Sequence, residues 1–157
     1  MVAVTGDIHA FYAGTPTTND GSKKIVEMVG SSISSATFKT LLTKQVAADP
    51  VLSAIPLAAS LAAQIDTLFS TETNPHLGYA KSGSNGFVIA EANATEFVTT
   101  FHVLGEKEIL VDYADKVADL MALYTTARFK TVTGEAELYQ ELEGAWLRWD
   151  SATRTYV

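Results

Sequence analysis

Residues 2–9 read Val2-Ala3-Val4-Thr5-Gly6-Asp7-Ile8-His9, and the interpretation of the chain turns on them. Four residues led by β-branched side chains are too few for a helix and suit a short buried strand. Gly6 and Asp7 stop it. A strand that ends in glycine and continues as Asp-x-His sets a carboxylate and an imidazole two residues apart at its carboxyl end, where ligand sites of α/β proteins gather. Carboxylate oxygens suit hard cations and ring nitrogens suit transition metals, so the pair fits a metallohydrolase. It equally fits a turn cap at Asp7 beside a core histidine at His9, and the residues alone leave both readings open.

Outward from this stretch, Asp7 and His9 open a loop that continues through the Gly, Pro, Asn, Asp and Ser of residues 14–22. Lys24 to Val29 resumes a strand that ends at Gly30, so the opening reads strand, loop, strand. Ser31 to Ser35 is a polar bend. Thr37 then caps a helix through about Ala48, with Phe38, Leu41, Leu42 and Val46 on one face, until Asp49-Pro50 breaks it. Pro56 suits the first turn of a second helix carrying Leu57, Leu61, Ile65 and Leu68 at helical spacing. Asn74-Pro75-His76 ends that stretch, and residues 81–86 are a turn-rich lead into a β-meander. Phe87–Ala90 and Phe97–Val103 read as an antiparallel hairpin whose second strand alternates, with Phe97, Thr99, Phe101 and Val103 on one face. Ile109, Leu110, Tyr113, Val117, Leu120, Met121 and Tyr124 mark an amphipathic helix over 106–124. A strand at 127–133, a short segment at 136–141 and a terminal hairpin, 146–149 against 155–157, close the chain. The fold class is α+β, in a single domain over 1–157.

Composition narrows the functional classes. Cysteine is absent, which removes disulfides, thiolate nucleophiles and Cys-type zinc or iron–sulfur sites. The chain holds 11 basic against 18 acidic residues, a formal charge of −7, and a duplex-binding surface of that sign would repel its own ligand. No apolar run reaches the length of a membrane span, and no basic segment or cleavage site of a leader follows Met1.

Other residues carry two readings each. Asn74 and His76, held by Pro75, can present an amide and an imidazole to a phosphate, but Asn-Pro is also ordinary turn chemistry. Ser31, Ser32, Ser34 and Ser35 can offer hydroxyls and backbone N–H groups to an anion, although the P-loop spacing is missing and helix capping explains them as well. His102 falls on the solvent side of its strand. Asn93-Ala94-Thr95 fits a glycosylation sequon, and Trp146, Trp149 and Tyr156 suit either ligand stacking or cross-strand pairing.

Three runs taken in order resemble one family. Val4-Thr5-Gly6-Asp7-Ile8-His9-Ala10 is similar to the Thr-Gly-Asp-Val-His segment of the alkaline phosphatase D (PhoD-like) family. Val26 to Ser35 resembles its Glu-Phe-Val-Gly-Thr-Ser-Ile-Thr-Ser stretch. Asn74-Pro75-His76-Leu77, then Gly86-Phe87-Val88 and the strand at 97–101, resembles its Asn-Pro-His-Ile, Arg-Gly-Tyr-Val and closing strand. Order, spacing and residue types agree over residues 2 to about 104, and 105–157 reads as a C-terminal extension.

The resemblance implies part of a calcineurin-like metallophosphoesterase sandwich: mixed β-sheet with flanking helices, and antiparallel C-terminal strands. It implies metal-dependent hydrolysis of phosphoesters, with calcium and iron as the ions. Asp7 and His9 would be metal ligands, His9 a catalytic group as well, and Asn74 and His76 phosphate contacts. The family's earlier Asp-rich motifs have no counterpart here. The chain therefore reads as the C-terminal portion of such an enzyme, inactive alone and completed by another chain or by self-association across an apolar sheet face. An extracellular or periplasmic location follows from the resemblance, and a stand-alone binding or structural module that kept the fold is the alternative.

Overall fold

A computed structural model describes residues 1–157, apart from the side chains of residues 71 and 72. Strand β1 (Val2–Thr5) pairs in parallel with β3 (Val26–Val29), Thr5 lying opposite Val29. On the other side of β3 runs β2 (Phe11–Gly14), antiparallel both to β3 and to β4 (Leu77–Lys81), which gives a mixed four-stranded sheet in the order β1-β3-β2-β4. Sequence reading places the residues of β2 in a loop and gives residues 77–80 of β4 no element. Phe11, Tyr12, Ala13 and Gly14 are buried on both faces, so the apolar/polar alternation that marks a half-exposed strand is absent. The expectation that β1 is buried also fails. It has β3 as its one neighbour, and Val4 is 52% exposed.

The second sheet is antiparallel throughout, in the order β10-β9-β8-β7-β6-β5. It comprises β5 (Ser84–Ala92), β6 (Glu96–Gly105), β7 (Thr125–Val132), β8 (Tyr139–Leu142), β9 (Ala145–Asp150) and β10 (Thr155–Tyr156). The alternation expected along β6 holds over its middle, where Thr99, Phe101 and Val103 are buried on the inner face, whereas Phe97 is half-buried and Val98 and Leu104 are buried on the other face. The terminal hairpin is present too, Trp149 lying opposite Tyr156. Residues 105–157 supply four of the six strands, and Phe129, Leu138 and Trp149 of the core come from them.

The two sheets pack face to face. Phe11, Ala13, Val26 and Met28 of the first meet Phe101, Val103, Phe129, Leu138 and Trp149 of the second in one buried cluster. Phe101 is its hub, with ring centroids 5.3 Å from Phe11, 4.9 Å from Phe129 and 5.9 Å from Tyr79. The inner faces thus cover each other, and the apolar sheet face expected to promote self-association is not open.

Helices cover the other face of the first sheet, where Phe38 and Phe69 pack against Tyr12 and Val29. Helix α1 (Phe38–Ala48) starts as expected, with the Thr37 hydroxyl accepting from the Thr40 N–H at 3.2 Å. Pro56 opens α2 (Pro56–Ala63), but the helix breaks at Gln64 and resumes as α3 (Ile65–Thr67) and a π-helical turn, Leu68–Thr73. The amphipathic helix expected over 106–124 is not formed. A 3₁₀ turn (Glu108–Leu110) and α4 (Val117–Leu123) stand in its place, and Leu110, Val117 and Met121 are 82%, 62% and 58% exposed. Periodic spacing alone does not make a helix of that length stable, because most helical stability comes from packing the apolar face. Large apolar side chains reach solvent here and along α1 and α2, at Leu41, Ile55, Leu57 and Leu61. No helix among the described residues is long and apolar enough to cross a membrane.

Candidate functional site

The carboxyl ends of the parallel pair β1 and β3 lie side by side, joined by the Gly30 N–H donating to the Thr5 carbonyl at 2.9 Å. Beyond Thr5 the chain turns within one residue, the Ile8 N–H donating to the Gly6 carbonyl at 2.8 Å. Asp7 and His9 both take left-handed backbone conformations, φ 70° and 56°. For a residue with a Cβ that conformation costs about 1–2 kcal/mol, least for Asp and Asn. Two such residues in three form a strained turn, the kind of feature that clusters at functional sites and persists where the surroundings over-determine it.

The surroundings are visible at His9. Its Nδ1 lies 2.8 Å from the Ala36 carbonyl oxygen. A carbonyl only accepts, so Nδ1 carries the hydrogen and the lone pair resides on Nε2, the nitrogen left for a metal or a proton. The His9 carbonyl in turn accepts from the Phe38 N–H at 3.0 Å. The imidazole is half-buried. Asp7 is exposed, and its carboxylate has no hydrogen bond among the described residues. This is an exposed acceptor beside an oriented imidazole, two donors at one sheet edge.

Two donors do not hold a metal ion, which needs four to six ligands. Among the described residues no group of three His, Asp or Glu side chains comes together.

Asn74 and His76 do not join Asp7 and His9. β2 begins at Phe11, close to His9, and ends at Gly14, beyond which the Thr15 N–H donates to the His76 carbonyl at 2.9 Å. Three strand steps of about 3.3 Å therefore separate the two histidines by roughly 10 Å or more. Asn74 and His76 instead line a cleft of about 200 Å³ with Tyr12, Gly14, Glu27 and Phe69. Pro75 is fixed there by the Trp149 indole N–H, 3.1 Å from its carbonyl. Tyr12, on that cleft, has its phenol pushed up by burial, and its hydroxyl lies 2.6 Å from the Ser82 hydroxyl.

The bend at Ser31 to Ser35 is held from the second sheet. Asn85 of β5 is fully buried, and its Nδ2 donates to the carbonyls of Ser32 (3.2 Å) and Ser35 (2.8 Å). Its Oδ1 is the buried side-chain atom left without a partner among the described residues. The Ser31 hydroxyl donates to the Ser84 carbonyl at 2.7 Å, so these hydroxyls serve the bend. Just past β6, Glu106 accepts through Oε2 from the hydroxyls of Thr37, at 2.9 Å, and Thr40. A cleft of about 310 Å³ opens between α1 and residues 106–110, with Lys44, Asn85, Glu106 and Lys107 in its wall. Neither Asn85 nor Glu106 was legible as part of the site. Their partners lie 50 to 69 residues away, and no local pattern signals such a contact.

The remaining candidates have structural partners. His102 stacks on Phe87 with centroids 4.6 Å apart, edged by Tyr124. The Asn93 side chain closes its own turn by accepting from the Thr95 and Glu96 N–H groups. Arg128 and Lys130 lie over the Trp146 ring, and Trp149 packs on Tyr156.

No family model matches the chain, and neither the curated proteins nor the solved structures include a match.

Proposed function

We propose that this chain is the C-terminal portion of a PhoD-like, calcineurin-type metallophosphoesterase and contributes one wall of a phosphoester-hydrolysing site. The observation that carries the reading is the strained turn after β1. It sets Asp7 and His9, the residues of the family-like Thr-Gly-Asp-x-His run, at the carboxyl end of a parallel strand pair in left-handed conformations. Two sheets packed face to face, with helices outside the mixed one, support that reading, although the second sheet is antiparallel throughout.

Asp7 would offer carboxylate oxygen and His9 its Nε2 to a divalent or trivalent cation, calcium and iron by the resemblance. Bound metal in such enzymes activates water and neutralises phosphoryl oxygens. The remaining ligands must come from outside these 157 residues, so no catalytic step is assigned to the chain by itself. Asn74 and His76, at the far end of β2, would meet a phosphate group only at a second location. The substrate is a phosphoester, the partner a completing segment or chain, and the location extracellular or periplasmic.

The test compares the 157-residue chain with the same chain extended by whatever its gene encodes upstream. The extended protein should hydrolyse bis(p-nitrophenyl) phosphate with calcium and iron present. Asp7→Ala and His9→Ala should each lower kcat by about a hundredfold or more. The short chain should be inactive. An extended protein that binds no metal and turns over no ester refutes the reading, as does equal activity in the short chain.

A second reading rests on the closed core. Both inner sheet faces are already buried against each other, so the chain has what a stand-alone binding or structural module needs. That reading predicts a stable, metal-free monomer, which mass measurement and metal analysis would reveal.

A further inference from the structure

The imidazole of His9 is oriented by a segment that the second sheet holds in place. The Ala36 carbonyl accepts from His9 Nδ1 at 2.8 Å, and the Phe38 N–H donates to the His9 carbonyl at 3.0 Å. Between these two contacts stands Thr37, 1% exposed. Its hydroxyl donates to Glu106 Oε2 at 2.9 Å, and the Thr40 hydroxyl donates to the same oxygen. Glu106 follows β6 (Glu96–Gly105), a strand of the other sheet. The path from Glu106 to His9 is therefore one hydrogen bond, one peptide unit and one further hydrogen bond.

We infer that Glu106 is a positioning residue for His9. It anchors Thr37 and so fixes the direction of the Ala36 carbonyl, which selects the Nδ1–H tautomer and leaves Nε2 aimed outward as the acceptor. Backbone carbonyls commonly set the tautomer of functional histidines in this way, and loss of such outer partners costs tenfold to a hundredfold in metal affinity or activity. The functional meaning rests on the reading of His9 given above. The structural claim does not, because it concerns the ring nitrogens alone.

Two features argue that the acceptor matters more than simple bulk. Both hydroxyls converge on one carboxylate oxygen, so an amide oxygen at the same place can replace it. The site also lies at the N-terminal end of α1 (Phe38–Ala48), where a carboxylate is favoured by the helix dipole, and removing the acceptor turns the hydroxyl of the buried Thr37 onto the Thr40 hydroxyl, 3.0 Å away.

The test is nitrogen NMR on the 157-residue chain labelled at histidine, at a pH of about 8.5 where an ordinary imidazole is neutral. Three histidines, His9, His76 and His102, make the assignment direct. The parent chain should hold His9 almost wholly as Nδ1–H. Glu106→Ala should shift its ratio of Nδ1–H to Nε2–H by about three- to tenfold, the worth of one hydrogen bond. Glu106→Gln should restore it, with His76 and His102 unchanged in both. Thr37→Val, which removes the anchored hydroxyl itself, serves should Glu106→Ala fail to fold, and it should move the ratio the same way. Unchanged His9 nitrogens in a folded Glu106→Ala or Thr37→Val chain overturn the inference, as does a Gln variant that behaves like Ala. A moved tautomer together with an inactive extended enzyme would discard the hydrolytic reading and keep the positioning role.

Discussion

Substitution of Asp7 separates a strained functional turn from an ordinary one. Asp7 sits at φ 70° with an exposed carboxylate that no group among the described residues binds. Its side chain therefore does little for the fold, while its Cβ carries left-handed strain of about 1–2 kcal/mol, somewhat less for Asp than for other residues. Glycine removes the strain but adds conformational freedom to the unfolded chain, worth about 0.4–1 kcal/mol. The balance places Asp7→Gly between neutral and about 1 kcal/mol more stable than the parent. Alanine keeps the strain without the tolerance of Asp, so Asp7→Ala should fall about 1 kcal/mol below Asp7→Gly. Urea unfolding followed through Trp146 and Trp149 can read this difference. With a slope of about 1–3 kcal/mol per molar, 1 kcal/mol moves the midpoint by roughly 0.3–1 M. The order Gly, Asp, Ala from most to least stable is expected, and the glycine variant, though stabilised, should be as dead as alanine in the extended enzyme. A glycine chain no more stable than the alanine chain would show that the turn is not strained, and the main structural support for a site at Asp7 and His9 would fall with it.

Three further outcomes follow from the packing. Phe101→Ala empties the hub between the sheets and should cost about 3–5 kcal/mol, whereas Ile89→Ala, at a residue 47% exposed, should cost under about 1 kcal/mol; equal urea midpoints for the two would deny the face-to-face contact. The phenol of Tyr79 is pushed up to about 12 by burial and then by the Asp66 carboxylate. Because the folded value lies above the unfolded 10.0, its contribution to stability is complete below pH 10 and lost as pH rises toward 12. Tyr79→Phe should therefore flatten the alkaline limb of a stability–pH curve without changing the acid limb. A methyl group at Gly86, where φ is 143°, would lie 1.9 Å from the His102 carbonyl oxygen. Gly86→Ala should fail to give soluble folded chain, while Gly21→Ala, at φ 69° with open space around it, should fold with a loss of about 1 kcal/mol; circular dichroism on both settles the point.

How much could be read without coordinates depended on whether an element shows two different environments along its length. β6 has a buried and a wetter face, so Phe97, Thr99, Phe101 and Val103 betray it. α1 announces itself through the Thr37 cap and ends at Asp49-Pro50, and both ends are where the residue types place them. β2 shows neither signal, because it is central in its sheet and buried on both sides. The stretch over 106–124 failed in the opposite way: its apolar residues keep helical spacing, but Leu110, Val117 and Met121 stay mostly exposed, so little burial rewards it. The middle case is α2, where Pro56 marks the start correctly, yet Leu57 and Leu61 face solvent while Ala62 and Ile65 are buried.

At the candidate site, legibility divides between local and distant chemistry. Gly6-Asp7-Ile8-His9 could be singled out because a tight turn at a strand end leaves its mark in adjacent residue types. The groups that hold the turn could not, since Ala36 offers only its carbonyl, and any residue would supply that. Glu106 likewise falls in the stretch expected to form a helix, and its role as acceptor for Thr37 and Thr40 depends on the two sheets being packed together. The strain at Asp7 and His9 is thus stored locally but held by contacts from distant parts of the chain. The second sheet contributes neither Asp7 nor His9, yet it secures the segment on which the orientation of His9 depends. For that reason damage to the inter-sheet packing, as in Phe101→Ala, should disturb the His9 tautomer before it abolishes the fold.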